Sequence, residues 1–253
     1  MRDIVTGFYR DVLRKLVASG KLTTSDSVLI VCGGPLDEAV MREVGFANFK
    51  LTNLDGVEES QDAEDLSYAD GSFDVVIVHA GLHHCYSPHR GLLEMYRVAR
   101  KAAIAFESRD SLLMRMAVKL GFTMDYETDS VTPDGRGGVA ESGVPNFVYR
   151  WTEREIWKVI ATFDPIRKPL IEFFYDMRIP IQRFARSGNH AMRAVGIVIE
   201  PVSRLFAVLL PSQCNEFAFA ILKSGELQPW LKDKVEKRSK ALSDLAELDA
   251  DHL

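Results

Sequence analysis

The chain has 253 residues, 47% of them apolar and 26% charged, enough to bury a sizeable core in one large α/β domain with additions. A net charge of −5 and a pI near 5.7 argue against a nucleic-acid grip built on phosphate contacts. Charges at Arg2, Asp3, Arg10, Asp11, Arg14 and Lys15 leave no signal peptide at the N-terminus, and three distant cysteines (Cys32, Cys85, Cys214) imply no disulfide framework, so a cytoplasmic location is expected.

Ile4, Phe8, Val12, Leu13, Leu16 and Val17 recur at helical spacing, predicting an amphipathic helix over 3–19 in an N-terminal segment 1–24. Val28 to Cys32 is a short apolar run suited to a buried parallel strand. Gly33-Gly34-Pro35 turns the chain into a helix, with Pro35 at a first helical position where its missing N–H costs nothing and Gly45 as terminator. A second strand over Phe49–Leu54 ends at Asp55-Gly56, and a third is short or missing. Phe73 to Ala80 is a strand entered through the Asp70-Gly71 turn. Ser87-Pro88 opens a helix, Ala102–Phe106 forms the next strand, and Asp110 is placed to cap a helix carrying Leu112, Leu113, Met116, Ala117 and Leu120. This alternation argues for a doubly wound, mostly parallel sheet with right-handed crossovers.

Residues 123–148 break the rhythm with Pro133, Pro145 and four glycines, and a loop of that length is commonly a lid or binding loop. Thr152 and Glu155 form a capping box. Residues 171–175 and 216–222 are two further strands, the last expected to run antiparallel, with a helical insertion over 186–212 between them. Within it Ala191 to Leu210 is strongly apolar but interrupted by Arg193, Glu200, Pro201 and Arg204, which suits a buried or partner-facing helix pair, or membrane-surface contact, better than a transmembrane segment. The expected organisation is a single domain over 1–230, with a probable lid at 123–150, and a charged tail over 231–253.

Candidate chemistry gathers where such sheets bind ligands, beyond the C-terminal ends of the strands. Gly33 and Gly34 allow close backbone approach after the first strand. Asp55, followed by Gly56, is 22 residues after Gly33, where a carboxylate can accept from a ribose diol. Asp62 can reach an adenine amino group while Ala63 leaves room for the ring. His79, His83, His84, Cys85 and His89 are dense, but no second ligand group with zinc-like spacing is present, so no metal site is read. His83 and His84 either hydrogen-bond loop backbone or act as a general base. Glu107 and Tyr126 are candidate substrate contacts, with packing as the alternative for the tyrosine.

The run Asp62-Ala63-Glu64, Leu66, Asp70, Ser72-Phe73-Asp74-Val75-Val76, followed by Leu82-His83-His84, resembles the middle of class I S-adenosylmethionine-dependent methyltransferases of the type 11-like kind. The resemblance spans roughly 25–110. It implies a Rossmann-like fold and a cofactor, S-adenosyl-L-methionine, with Gly33 and Gly34 at its methionine end, Asp55 on the ribose, Asp62 and Ala63 at adenine, and His79 and Ala80 bordering the sulfonium. The first glycine loop departs from the family pattern: Ile30 replaces an acidic residue, Cys32 the first glycine and Leu36 the last. Methyl transfer to a small-molecule or lipid- or sugar-linked acceptor is the expected activity. The alternative is a methyltransferase fold that serves as a binding or assembly module.

Overall fold

The computed structural model describes residues 6–54, 59–178, 201–203, 205–223 and 225–234. Their centre is a seven-stranded sheet with the order β3-β2-β1-β4-β5-β7-β6. The strands are β1 (Val28–Val31), β2 (Phe49–Asn53), β3 (Glu59–Ser60), β4 (Phe73–His79), β5 (Ala99–Ser108), β6 (Leu170–Asp176) and β7 (Glu216–Leu222). All pair in parallel except β7, which is antiparallel to both β5 and β6. The helices are α1 (Gly7–Ala18), α2 (Pro35–Val44), α3 (Pro88–Val98), α4 (Leu112–Lys119) and α5 (Glu153–Phe163). The doubly wound, Rossmann-like arrangement with an antiparallel last strand is therefore present as the sequence predicts.

Strand alternation divides the core into two layers. Val28 and Ile30 of β1, Val75 and Ile77 of β4, and Ala102 and Ile104 of β5 pack against Tyr9, Val12, Leu13 and Leu16 of α1 and Val40 and Met41 of α2. Leu29, Val31, Val76, Val78, Ala103 and Ala105 face the other way, onto Leu92, Met95 and Tyr96 of α3 and Ile156 and Ile160 of α5. Each such Val, Leu or Ile contributes about 1.5–3 kcal/mol on full burial. Local signals set the helix ends. Gly34 N–H donates to Asp37 (2.9 Å) ahead of Pro35, and Gly45 ends α2 at φ 101°. Thr152 and Glu155 form the reciprocal capping box of α5.

One expectation is corrected. Ser111, not Asp110, caps α4: its hydroxyl accepts from Met114 N–H (3.1 Å), while Asp110 pairs with Arg115. The apolar side chains of α4 are also not core, since Leu112, Leu113, Met116 and Leu120 are all exposed. In the predicted insertion, residues 201–203 and 205–209 are helical, 186–200 lie outside the described residues, and Pro211–Gln213 forms a 3₁₀ turn. The tail beyond 234 is likewise outside them. Among the described residues no helix is long and apolar enough to cross a membrane.

The N-terminal end of the sheet is a charged clamp. Asp74 accepts from Ser27 N–H and Oγ–H (both 3.0 Å) and pairs with Arg100 and Lys101. Burial opposes ionisation of Asp74, but Arg100 and the Ser27 donors outweigh it and hold the carboxyl well below its ordinary value. Asp26, bonded to Thr23 and Lys101, completes the clamp.

Candidate functional site

At the opposite end, beyond the C-termini of β1, β2 and β4, lies a cavity of about 200 Å³. Its floor comes from sharp exits of the chain from two adjacent strands. Cys32 after β1 (φ 53°) and Ala80 after β4 (φ 51°) both adopt the left-handed region, at about 1–2 kcal/mol for a residue with a side chain. The exits touch: a Cβ on Gly81 would stand 2.5 Å from Cys32 Cβ, so only glycine lets them close together. The Cys85 thiol in the same wall is pushed up, first by its hydrogen bond with Cys32 and then by burial, so it stays protonated.

One side of the cavity is formed by Asn53 at the end of β2 and by the Gln61–Glu64 loop. Asp62 Oδ1 accepts from Glu64 N–H (2.8 Å), which curls the loop tightly, and Ala63 is buried. The Glu64 carboxylate accepts from the N–H groups of Tyr86 and Ser87 (2.8 and 2.9 Å), tying this loop to the start of α3. Asp55 and Gly56, predicted at the ribose position, lie outside the described residues.

The other side is a histidine–carboxylate corner. Glu107, fully buried at the end of β5, accepts from Gly81 N–H (3.1 Å) and Leu82 N–H (2.8 Å) through Oε1 and from His83 Nδ1–H (3.0 Å) through Oε2. His83 and His84 sit on a 3₁₀ turn with rings 4.5 Å apart. Glu127 comes from the 123–150 segment, with Oε2 3.7 Å from His83 Nε2 and 3.8 Å from His84 Nε2. The same segment supplies Gly138, whose carbonyl accepts from His84 Nδ1–H (3.3 Å), and places Gly138, Ala140 and Glu141 on the cavity wall.

These contacts separate the two histidines. Burial works against the charge on His83, but Glu107 and then Glu127 override it and push its pKa up to about 10. Reciprocally, the His83 hydrogen bond draws Glu127 down to about 2 against its desolvation. Burial and the neighbouring His83 charge hold His84 below its ordinary value. His83 therefore keeps its proton at neutral pH, whereas His84, which borders the cavity, is neutral.

Asp62, Ala63, Ala80 and His84 thus line the cavity, and His83 stands directly behind. Other predicted residues are placed elsewhere. Gly33 and Gly34 lie just outside the lining, and Gly34 caps α2. The His79 ring stacks on Tyr9 (4.8 Å, 6° between planes) on the α1 side of the sheet, away from the cavity. Strand parity carries that signal, because His79 shares a face with Val75 and Ile77. Glu107 has both oxygens engaged by the loop it holds, so its geometry is that of a positioning residue and not of a substrate contact. Tyr126 is exposed and packs edge-on against Phe147 (5.4 Å). The sequence reading did not single out Asn53, Glu127, Gly138, Ala140 or Glu141, which reach the site through long-range folding without a local motif.

Residues 41–106 match the sequence model of a family described as a methyltransferase domain. Over that quarter of the chain the sequence is similar to a methyltransferase domain. The matched stretch runs from α2 to β5 and holds the Asp62-Ala63 loop, both histidines of the corner, and Asp74, Arg100 and Lys101 of the charged clamp. The family is S-adenosylmethionine-dependent. No functionally curated protein matches the sequence significantly. Among solved structures the chain is similar to 1,6-didemethyltoxoflavin-N1-methyltransferase of Burkholderia thailandensis, crystallised with its substrate and S-adenosylhomocysteine, at 13% identity over 88% of this chain and 82% of that one (TM-score 0.48). It is also similar to an S-adenosylmethionine-dependent methyltransferase of Archaeoglobus fulgidus (14% identity, 86% and 97% covered, TM-score 0.47). A third is magnesium protoporphyrin IX methyltransferase of Synechocystis PCC 6803 with bound S-adenosylhomocysteine (13% identity, 85% and 82% covered, TM-score 0.44).

Proposed function

We propose that this protein transfers a methyl group from S-adenosylmethionine to a small-molecule or lipid- or sugar-linked acceptor, with the adenosine end of the cofactor against Asp62 and Ala63. The observation that carries this reading is the cavity beyond the C-terminal ends of β1, β2 and β4, most of whose lining residues belong to the methyltransferase-domain match. Its donor set suits an adenosine. Asp62 offers a carboxylate to an exocyclic amine, Asn53 and Gln61 offer amides to ribose hydroxyls, and Ala63, Leu54 and the protonated Cys85 give an apolar wall for a ring. Cys32 and Ala80 would lie near the sulfonium, and Asp55, from its position in the sequence, is a further ribose ligand.

S-adenosylmethionine, when bound, supplies an already activated methyl group, so the protein's work is orientation and exclusion of water. The 123–150 segment excludes water by covering the pocket with Gly138, Ala140 and Glu141. An acceptor that must lose a proton would lose it to His84 Nε2, since the neutral ring borders the cavity and its Nδ1–H is committed to Gly138. His83, holding its own proton between two carboxylates, fixes the loop and favours negative charge on a neighbouring acceptor.

Titration calorimetry with S-adenosylmethionine tests the reading, alongside mass spectrometry of small molecules released from the purified protein. Saturable one-to-one binding, or a released cofactor, is expected. No binding at millimolar concentration would reject methyl transfer in favour of a methyltransferase fold used as a binding module. The strained, non-glycine Cys32 turn is the feature that favours that second reading.

A further inference from the structure

The histidine–carboxylate corner has a property that methyl transfer does not require. A carbonyl and a carboxylate only accept hydrogen bonds, so Gly138 O fixes the proton of His84 on Nδ1, and Glu107 does the same for His83. Each ring then directs Nε2 at the same carboxylate oxygen, Glu127 Oε2, at 3.7 and 3.8 Å. One ligand atom from each of the three residues lies within 4.8 Å of the other two. Tetrahedral ligands at zinc-like bond lengths stand about 3.4 Å apart, so small side-chain movements close the set on one ion.

The surroundings are built in the same sense. Metal-binding histidines usually donate their second ring N–H to a carboxylate or a backbone carbonyl, and both partners are present here. Glu127 is oriented as well: buried Asn146 donates from Nδ2 to Oε2 (3.3 Å), and its carbonyl accepts Glu127 N–H (3.0 Å). Asn146 is itself bonded by Ser130 Oγ–H through Oδ1 (2.8 Å).

We propose that His83 Nε2, His84 Nε2 and Glu127 Oε2 bind one divalent first-row transition ion, with zinc, iron(II) and cobalt(II) the species this ligand set suits. Two imidazoles and one carboxylate leave coordination positions open, as in sites where an ion receives an oxygen ligand from water or substrate. Because His84 borders the cavity, an acceptor hydroxyl or carboxylate is the class of group that would take an open position. The ion would also join the 123–150 segment, through Glu127, to the turn after β4, so closure of the pocket and occupancy of the site would be linked. The proposal does not rest on methyl transfer. It competes with the roles given to both histidines above: His84 Nε2 is also the proposed proton acceptor, and His83, charged when no ion is bound, must give up its Nε2 proton to the solvent as the ion binds.

The test uses the full chain without an affinity tag, stripped with a chelator and titrated with zinc by calorimetry and with cobalt(II) by visible absorption. One ion per chain is expected, with cobalt bands characteristic of a low-coordinate nitrogen–oxygen site. His84→Ala and Glu127→Gln should each weaken binding by roughly 100-fold or more, and Asn146→Ala by about 10–100-fold, the usual cost of losing an outer partner. His84 and Glu127 are partly exposed, so their variants should keep the wild-type circular dichroism and a cooperative unfolding transition. Absence of saturable binding of either ion would overturn the proposal, as would undiminished binding in His84→Ala and Glu127→Gln. Neither result would bear on cofactor binding, which is read separately with S-adenosylhomocysteine.

Discussion

The two ends of the β4–β5 pair each gather two acids and use them in opposite ways. At the N-terminal end Asp26 and Asp74 meet Lys101 and Arg100, side chains that stay cationic at any ordinary pH and reach out to water. At the C-terminal end Glu107 and Glu127 meet histidines, whose charge is set by their neighbours. The first arrangement locks strand ends together and leaves nothing to titrate near neutrality. The second leaves one proton held and one nitrogen lone pair free beside a cavity. The chemistry that looks most family-like along the chain is thus shared between a structural end and a working end.

The sharpest way to break the comparison is Glu107→Ala. It strands the N–H groups of Gly81 and Leu82 and leaves His83 charged against Glu127 alone. Removing one partner of such a buried pair costs about 3–5 kcal/mol, so chemical denaturation should show a loss of that order and cofactor binding should fall with it.

The same corner sets a pH dependence. His83 is raised from about 6.5 unfolded to about 10 folded. Its stabilising contribution is therefore complete below about pH 6.5 and lost as pH climbs towards about 10. Unfolding free energy should decline over that window, and His83→Gln should flatten the decline. The clamp predicts no such slope, because Asp74 is held low and loses its contribution only in acid, below the ordinary carboxylate range.

Gly81→Ala should cost about 1–3 kcal/mol by overpacking, because the new methyl would collide with Cys32. Cys32→Gly relieves a left-handed strain of about 1 kcal/mol and makes room for that methyl. The double variant should recover part of the loss, the rest coming from Val78 Cγ2 at 2.9 Å from the new methyl, and a measured coupling near zero would disprove contact between the two turns.

The fold was legible in the sequence where local chemistry decides it. Pro35 and Gly45 bound α2, Ser87 and the Thr152–Glu155 box start α3 and α5, and apolar runs mark β1, β4 and β7. It was not legible where a long-range contact decides. Ser111 takes the cap of α4 in a turn tied to the distant carbonyls of Trp151 and Gln213, and Leu112, Leu113, Met116 and Leu120 stay exposed. In the site, Asp62, Ala63, Ala80 and His84 could be picked out from order and spacing. Glu127 could not, since nothing near it in sequence shows that a glycine-rich segment will fold it back over two histidines. His79 was misjudged for a different reason, as its place on the Val75–Ile77 face was readable from strand parity.

The most direct test of this division is calorimetric titration of S-adenosylhomocysteine into three proteins: wild type, Asp62→Ala and Asp74→Ala. Loss of about 1–3 kcal/mol of folding stability is expected for Asp74→Ala, from the unpaired Ser27 N–H, with the cofactor affinity kept. Asp62→Ala leaves the Glu64 N–H unpaired and so should also cost up to about 1–3 kcal/mol of stability, yet stay folded. Unlike Asp74→Ala, it should bind at least about tenfold more weakly, the 1.4 kcal/mol of one charged hydrogen bond. Equal binding by wild type and Asp62→Ala, or loss of binding in a folded Asp74→Ala, would contradict the account.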